Sequence, residues 1–186
     1  MSNAVRILQR LDQYLTSPVE LTLCGRAALT LGFEKTPEDY ALSRDVDAIL
    51  PVGQAETLNE TTNFWEAIDL VNADLADDGL YVSHFFTEDQ VVLLPEWKDQ
   101  RVRLAGDWKR LDVFRLGNVD LLLSKLMRDD PIDRSDAWFI VQSGGLSRDD
   151  VAAAVRRARL PRSEEVREQF AVASKRLLDR LDIREG

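Results

Sequence analysis

Two aspartates, Asp45 and Asp47, stand at alternate positions in the short apolar stretch SRDVDAIL, residues 43–50. In a β-strand, side chains at i and i+2 point to one face, so these carboxylates sit side by side while Val46, Ala48 and Leu50 face the other way. Like charges held that close repel, and a divalent metal is the cation that two adjacent carboxylates suit best. Upstream, LTLCGRAALTLGF runs from an apolar strand through Gly25 directly into helix-forming residues. A helix opening on such a bend offers unpaired N–H groups and the positive end of its dipole, a ready phosphate site, and Arg26 adds a cation there. If the two strands are neighbours, Asp45 and Asp47 can hold Mg²⁺ beside the bend, where the ion bridges the phosphates of a nucleotide. Asp112, in RLDVFRL, is the best-placed third carboxylate, completing a two-ion site or accepting the nucleophile's proton. Such parts suit phosphoryl or nucleotidyl transfer, which asks of a protein mainly alignment and charge neutralisation.

The elements that must position these groups follow from hydrophobic spacing. Val5, Leu8, Leu11 and Leu15 predict an opening amphipathic helix that ends near Ser17-Pro18. VELTLC alternates as a half-buried strand, Gly25 breaks it, and RAALTL continues as helix. The D-x-D strand stops at Pro51-Val52-Gly53, and one helix is expected over about 56–77, closed by Asp77-Asp78-Gly79. LYVSHFF, QVVLL and RVRLAG are β-rich, and RLDVFRL alternates with Leu111, Val113 and Arg115 on one face and Asp112 and Phe114 on the other. Helices are then predicted over 118–128, from Pro131 behind the N-cap Asp130, behind the S-x-x-D cap of Ser147 and Asp150, and over about 163–182. The order predicts an α+β fold, a mixed β-sheet flanked by helices with a helical C-terminal part. Residues 1–145 are expected to form the α/β core and 146–186 a helical extension packed on it.

Composition narrows the chemistry further. A chain of 186 residues, 45% hydrophobic, suffices for one well-filled core. No apolar run reaches the roughly 20 residues that span a bilayer, and the N-terminus lacks the apolar core of a signal peptide, so a cytoplasmic protein without membrane attachment is expected. One cysteine, Cys24, excludes a thiolate zinc cluster, and one histidine, His84, leaves the chemistry to carboxylates, Lys and Arg. His84 is expected to be a packing or surface residue, and Trp65, Trp97, Trp108 and Trp138 to lie in the core or at contacts. A net charge of −9 argues against non-specific binding of duplex DNA. The charge is uneven, with 8 Lys/Arg against 4 Asp/Glu over residues 151–180. That local excess suits either a solvated helical face or a contact surface for RNA or nucleotide.

LTLCGRAALTLGF followed by SRDVDAIL resembles the signature of polymerase-β-like nucleotidyltransferases: an apolar strand, a glycine turn, a short helix, then a D-x-D strand. VDLLLSKLMRDDPIDRSDAWFIV is similar to a second block found in a bacterial branch of that superfamily, largely uncharacterised domains related to the nucleotidyltransferase toxins of type IV toxin–antitoxin and abortive-infection systems. The resemblance covers about residues 15–145. It implies a nucleotidyltransferase-like sheet, with Gly25 as the turn glycine and Asp45 and Asp47 as metal ligands. Lys125 matches the lysine near the nucleotide phosphates, and Asp133 and Asp136 the acidic pair after that helix. The implied nucleotide-binding set is Gly25, Arg26, Lys125, Arg128, Asp133 and Asp136, and the implied catalytic set Asp45, Asp47, Asp112 and Lys125. Position 26 is Arg where the family carries Gly or Ser, and EKTPEDYALS lengthens the gap from Gly25 to Asp45.

The resemblance therefore implies an Mg²⁺-dependent transfer of NMP from an NTP to a hydroxyl on RNA, protein or a small molecule. A toxin or phage-defence role, and a cognate antitoxin as partner, rest on the resemblance alone. Arg26 equally suits a catalytically degenerate relative that binds a nucleotide or a partner protein, and the same carboxylates could serve a phosphoesterase. Structural readings stand beside the functional ones. Lys125 lies i,i+4 from Asp129, Asp133 stands in a first helical turn where a carboxylate complements the dipole, and Arg26 could pair with Asp45 in place of a metal.

Overall fold

The computed structural model describes residues 1–185 and divides into two compact units that interleave along the chain. Residues 1–87 and 101–115 form the first, and residues 88–100 together with the chain from Leu116 onward form the second. The boundaries at 87/88, 100/101 and 115/116 differ from the expected one at 145, which lies inside the second unit. The chain crosses between the units three times without a Gly/Ser linker, so composition carries no trace of the division.

All five strands belong to the first unit, and the α+β class with a mixed sheet is what the element order predicts. Strands β1 (Val19–Cys24), β2 (Asp45–Leu50), β3 (Tyr81–Thr87), β4 (Val102–Arg103) and β5 (Leu111–Arg115) lie in the order β3-β2-β1-β5-β4. β1 runs antiparallel to β2 and parallel to β5, β2 runs parallel to β3, and β4 runs antiparallel to β5. Because β1 is central, Thr22 and Cys24 are buried along with Leu21 and Leu23, and the strand is not half-exposed as its alternation suggests. Helix α1 (Asn3–Tyr14) starts behind Ser2, whose hydroxyl accepts from Val5 N–H, and buries Ile7, Leu8 and Leu11. Its Asp12 accepts the backbone N–H groups of Lys109, Arg110 and Leu111. Burial alone would raise this carboxyl, but the three N–H donors hold it below the ordinary carboxylate value and tie α1 to the start of β5. Helix α2 (Gly25–Gly32) follows β1 without a loop residue.

The helix expected over 56–77 is two helices, α3 (Gln54–Thr61) and α4 (Phe64–Asp74). The break is local side-chain chemistry competing with the helical ladder. Thr62 Oγ1 accepts from Phe64 N–H, while Asn63 donates to Tyr14 C=O and accepts from Thr16 N–H, both at 2.9 Å. Past it, Phe64 and Trp65 pack edge-on with Phe85 of β3.

The second unit holds α5 (Asn118–Leu126), α6 (Pro131–Ser143), α7 (Arg148–Arg157) and α8 (Glu164–Glu185). Caps form as expected, with Asp130 accepting from Asp133 N–H and Ser147 and Asp150 closing a reciprocal capping box. QVVLL is not a strand: it contributes a single isolated bridge between Leu93 and Arg159. Its apolar side chains are buried, and Leu94 N–H donates to Asp120 Oδ1 of α5 at 2.7 Å. A short apolar run needs a neighbouring ladder to become a strand, and here the ladder is limited to the one bridge at Leu93.

Candidate functional site

β2 delivers the expected geometry at its start. Val46, Ala48 and Leu50 are buried, and Asp45 and Asp47 share the opposite face, half-buried. Ser43 Oγ donates to Asp45 Oδ1 at 2.9 Å. The pairing of β2 with β3 shifts register between Val46 and Ala48, so that Ser83 and His84 together oppose Asp47. A bulge of this kind puts two successive side chains where a regular strand would put one. The Ser83 hydroxyl donates to Asp47 Oδ1 and reaches Asp45 Oδ2 at 3.5 Å, bridging the two carboxylates. His84 Nδ1 lies 3.4 Å from Asp47 Oδ1.

The glycine bend meets the same carboxylate from its other side. Asp47 stands opposite Cys24 in the β1/β2 register, one residue before Gly25. Gly25 has φ of +66°, and a Cβ there would come within 2.9 Å of Asp47 Oδ2. Both the conformation and the approach therefore call for glycine. Arg26 reaches Asp39 Oδ2 at 3.2 Å and lies over the Tyr40 ring, 4.6 Å from its centroid. The segment EDYAL, a 3₁₀ turn over Glu38–Leu42 within the long gap before Asp45, thus supplies groups that receive Arg26.

Asp112 is not brought to the pair. It stands beside Glu20 while Asp47 stands beside Cys24, four residues further along β1 and one strand over on the other side. At about 3.3 Å per residue and about 4.8 Å per strand, the separation is roughly 16 Å, against the ~4 Å between ions of a two-metal site. Asp112 instead accepts from Arg103 Nε at 2.6 Å across the β4/β5 pair. The face assignment in RLDVFRL is right, but register along the strand separates the acids.

In the second unit, Lys125, Asp133 and Asp136 form one buried ionic cluster. Lys125 Nζ donates to Asp133 Oδ1 at 2.9 Å and Asp136 Oδ2 at 2.8 Å, and all three side chains are at most 5% exposed. Burial works against the ammonium charge, yet the two carboxylates outweigh it and hold Lys125 above its ordinary value. Arg128 adds an Nε bond to Asp133 Oδ2 at 3.0 Å. The second block of the sequence thus forms a real constellation, one in which the lysine is committed to its own acidic pair. The partner foreseen at i+4, Asp129, instead receives Arg176. Much of the basic excess over 151–180 is likewise matched by acids: Arg157 with Glu96, Arg159 with Glu88, Lys175 with Asp179.

The side chains that sequence reasoning missed are Ser83 and His84. Their signal was the adjacent polar pair in LYVSHFF, which breaks strict alternation where the bulge falls.

Among the described residues, no three His, Cys, Asp or Glu side chains group closely enough to cage a metal ion. Two half-buried carboxylates and a hydroxyl fit Mg²⁺ as it is ordinarily held, through one or two carboxylates with water and substrate phosphate completing the octahedron. No described helix is long and apolar enough to cross a membrane. Comparison with protein-family models, with curated proteins and with solved structures gives no match in any of the three.

Proposed function

We propose that the first unit binds the polyphosphate of a nucleoside triphosphate with Mg²⁺ at Gly25, Asp45 and Asp47, and transfers NMP to a hydroxyl acceptor. The observation that carries this reading is the abutment of the glycine bend on Asp47, 2.9 Å from an added Cβ to Oδ2, with Asp45 alongside. The N–H groups and the positive dipole end at the start of a helix suit phosphate oxygens, and the carboxylates suit the cation that accompanies them. Bound Mg²⁺ would supply charge neutralisation on the phosphates. Ser83 anchors the Asp47 carboxylate and Ser43 that of Asp45, and the phosphate would lie along the opening turn of α2 beside them. In the reaction, the acceptor oxygen bonds to the α-phosphorus, the bond from that phosphorus to the β-bridging oxygen breaks, and pyrophosphate departs with the electron pair. The acceptor's proton passes to solvent. An RNA or protein acceptor, and an antitoxin, extend this reading through the sequence resemblance only.

A second reading, nucleotide binding without transfer, is favoured by the position of Asp112, which leaves the pair without a third carboxylate from β5. The two are separated by titrating NTPs calorimetrically with and without Mg²⁺ and by following α-labelled NTP. Transfer predicts Mg²⁺-dependent binding that Asp45→Asn weakens, with label incorporated into an acceptor and pyrophosphate released in equal amount. Binding that depends on Mg²⁺ without release of pyrophosphate selects the second reading, and absence of any NTP binding overturns both.

A further inference from the structure

The bulge that brings Ser83 and His84 to Asp47 also builds a flat surface beside it. His84 and Phe86 project to one side of β3, and their rings stack with centroids 5.5 Å apart and planes 17° from parallel. Phe86 pairs with Ile49 in the β2/β3 register, two residues from Asp47 and on its face of the sheet. The imidazole is 69% exposed although one of its faces lies against Phe86, so its second face is open. The imidazole is thus placed by two neighbours, Asp47 at its Nδ1 and Phe86 across one face. Three neighbours divide the Asp47 carboxylate: Gly25 approaches Oδ2, and Ser83 and His84 approach Oδ1. A ligand with polyphosphate on the Gly25 side and a flat ring on the His84 side would straddle this one residue.

We propose that the open face of His84, backed by Phe86, receives the base of a nucleotide by stacking, making the ligand of this site a nucleotide and not a bare polyphosphate or a sugar phosphate. The inference rests on the phosphate assignment of the preceding subsection for its orientation. Stacking of this kind tolerates all four bases, since each has a π-face. Phe86 already covers the other face of the ring, so a stacked base meets a surface the fold provides.

The test exploits His84 being the only histidine in the chain, so its imidazole C–H signals in a proton NMR spectrum need no assignment. They are followed while the full chain is titrated, with Mg²⁺ present, with ATP, GTP, CTP and UTP and with inorganic tripolyphosphate, and without Mg²⁺ with adenosine. Stacking predicts upfield ring-current shifts with the nucleotides and with adenosine and none with tripolyphosphate. His84→Ala, at an exposed position, is expected to weaken nucleotide binding about 5- to 150-fold. The affinity for tripolyphosphate should fall by much less than the affinity for nucleotide. Unmoved His84 signals at saturating nucleotide, equal shifts with tripolyphosphate, or equal weakening of both ligands by His84→Ala would overturn the stacking platform. An upfield shift with adenosine and nucleotides that persists in Asp45→Asn, while tripolyphosphate fails to bind, sustains the platform and removes the phosphate assignment instead.

Discussion

Replacing Gly25 by alanine separates what the bend contributes to folding from what it contributes to the site. Alanine at φ of +66° is placed in the left-handed region, at a cost of about 1–2 kcal/mol. The added methyl also meets Asp47 Oδ2 at 2.9 Å, while Asp47 Cβ and Cγ at 3.6 and 3.7 Å remain in ordinary contact. Only the end of the Asp47 side chain has to turn, so the clash adds little to the folding cost. The turn nonetheless disturbs the carboxylate held from its other side by Ser83 and His84. Gly53→Ala is the matched control, since Gly53 has φ of +84° with nothing within 4 Å of its added Cβ. Urea unfolding followed by circular dichroism should show both variants losing about 1–2 kcal/mol, with Gly25→Ala beyond Gly53→Ala by less than ~1 kcal/mol. Calorimetric titration with Mg²⁺ and ATP should show Gly53→Ala binding as the parent does and Gly25→Ala weaker by about tenfold or more, ~1.4 kcal/mol. Equal ATP affinities in the two variants would refute the placement of phosphate and metal against this bend.

Two further perturbations test the second unit. Asp120 is fully buried, with Oδ1 accepting from Leu94 N–H and Oδ2 without a hydrogen-bond partner. Burial pushes its carboxyl up to about 6, opposed by the Leu94 N–H and aided by the nearby charge of Glu96. A carboxyl raised in the folded state binds its proton more tightly there than in the unfolded chain. This group's contribution to stability therefore falls as pH rises from about 4 to about 6 and stays low above that, by about 3 kcal/mol. Asp120→Asn should match the parent near pH 4 and exceed it by up to that amount near pH 8 in urea unfolding, and a pH-independent difference would refute the assignment. Lys125→Met removes the cation between Asp133 and Asp136 and should cost about 3–5 kcal/mol, much of it recovered in Lys125→Met/Asp136→Leu. Because Lys125 is raised above 10.5, the stability it confers is fully present below that pH and is lost only as pH climbs through the higher folded value. Alkaline unfolding of the parent should therefore show a component that Lys125→Met lacks, and identical alkaline profiles would argue against the buried cluster.

Local structure is legible in the residue types alone. Period-two alternation placed Asp45 and Asp47 on one face of β2, glycine between strand and helix formers placed the bend at Gly25, and Ser, Asp and Pro at helix starts placed the caps of α6 and α7. Each depends on backbone geometry within a few residues, which residue type encodes directly. Even locally, competition mattered: Thr62 and Asn63 divided a helix whose apolar spacing runs unbroken.

Tertiary structure decided everything that depends on which strands are neighbours and in what register. RLDVFRL shows correctly which face Asp112 occupies, but only pairing with β1 reveals that it sits beside Glu20 and far from Asp47. LYVSHFF shows β-propensity, but only the register shift against β2 turns Ser83 and His84 together onto one carboxylate. Lys125, Asp133 and Asp136 enter the sequence reading only through the resemblance, as nucleotide-binding residues, and their mutual burial could not be read from the chain, because the desolvation that commits a lysine to its own acids depends on the packing around them. Spacing along a chain defines faces, whereas distances between faces exist only once the sheet has formed.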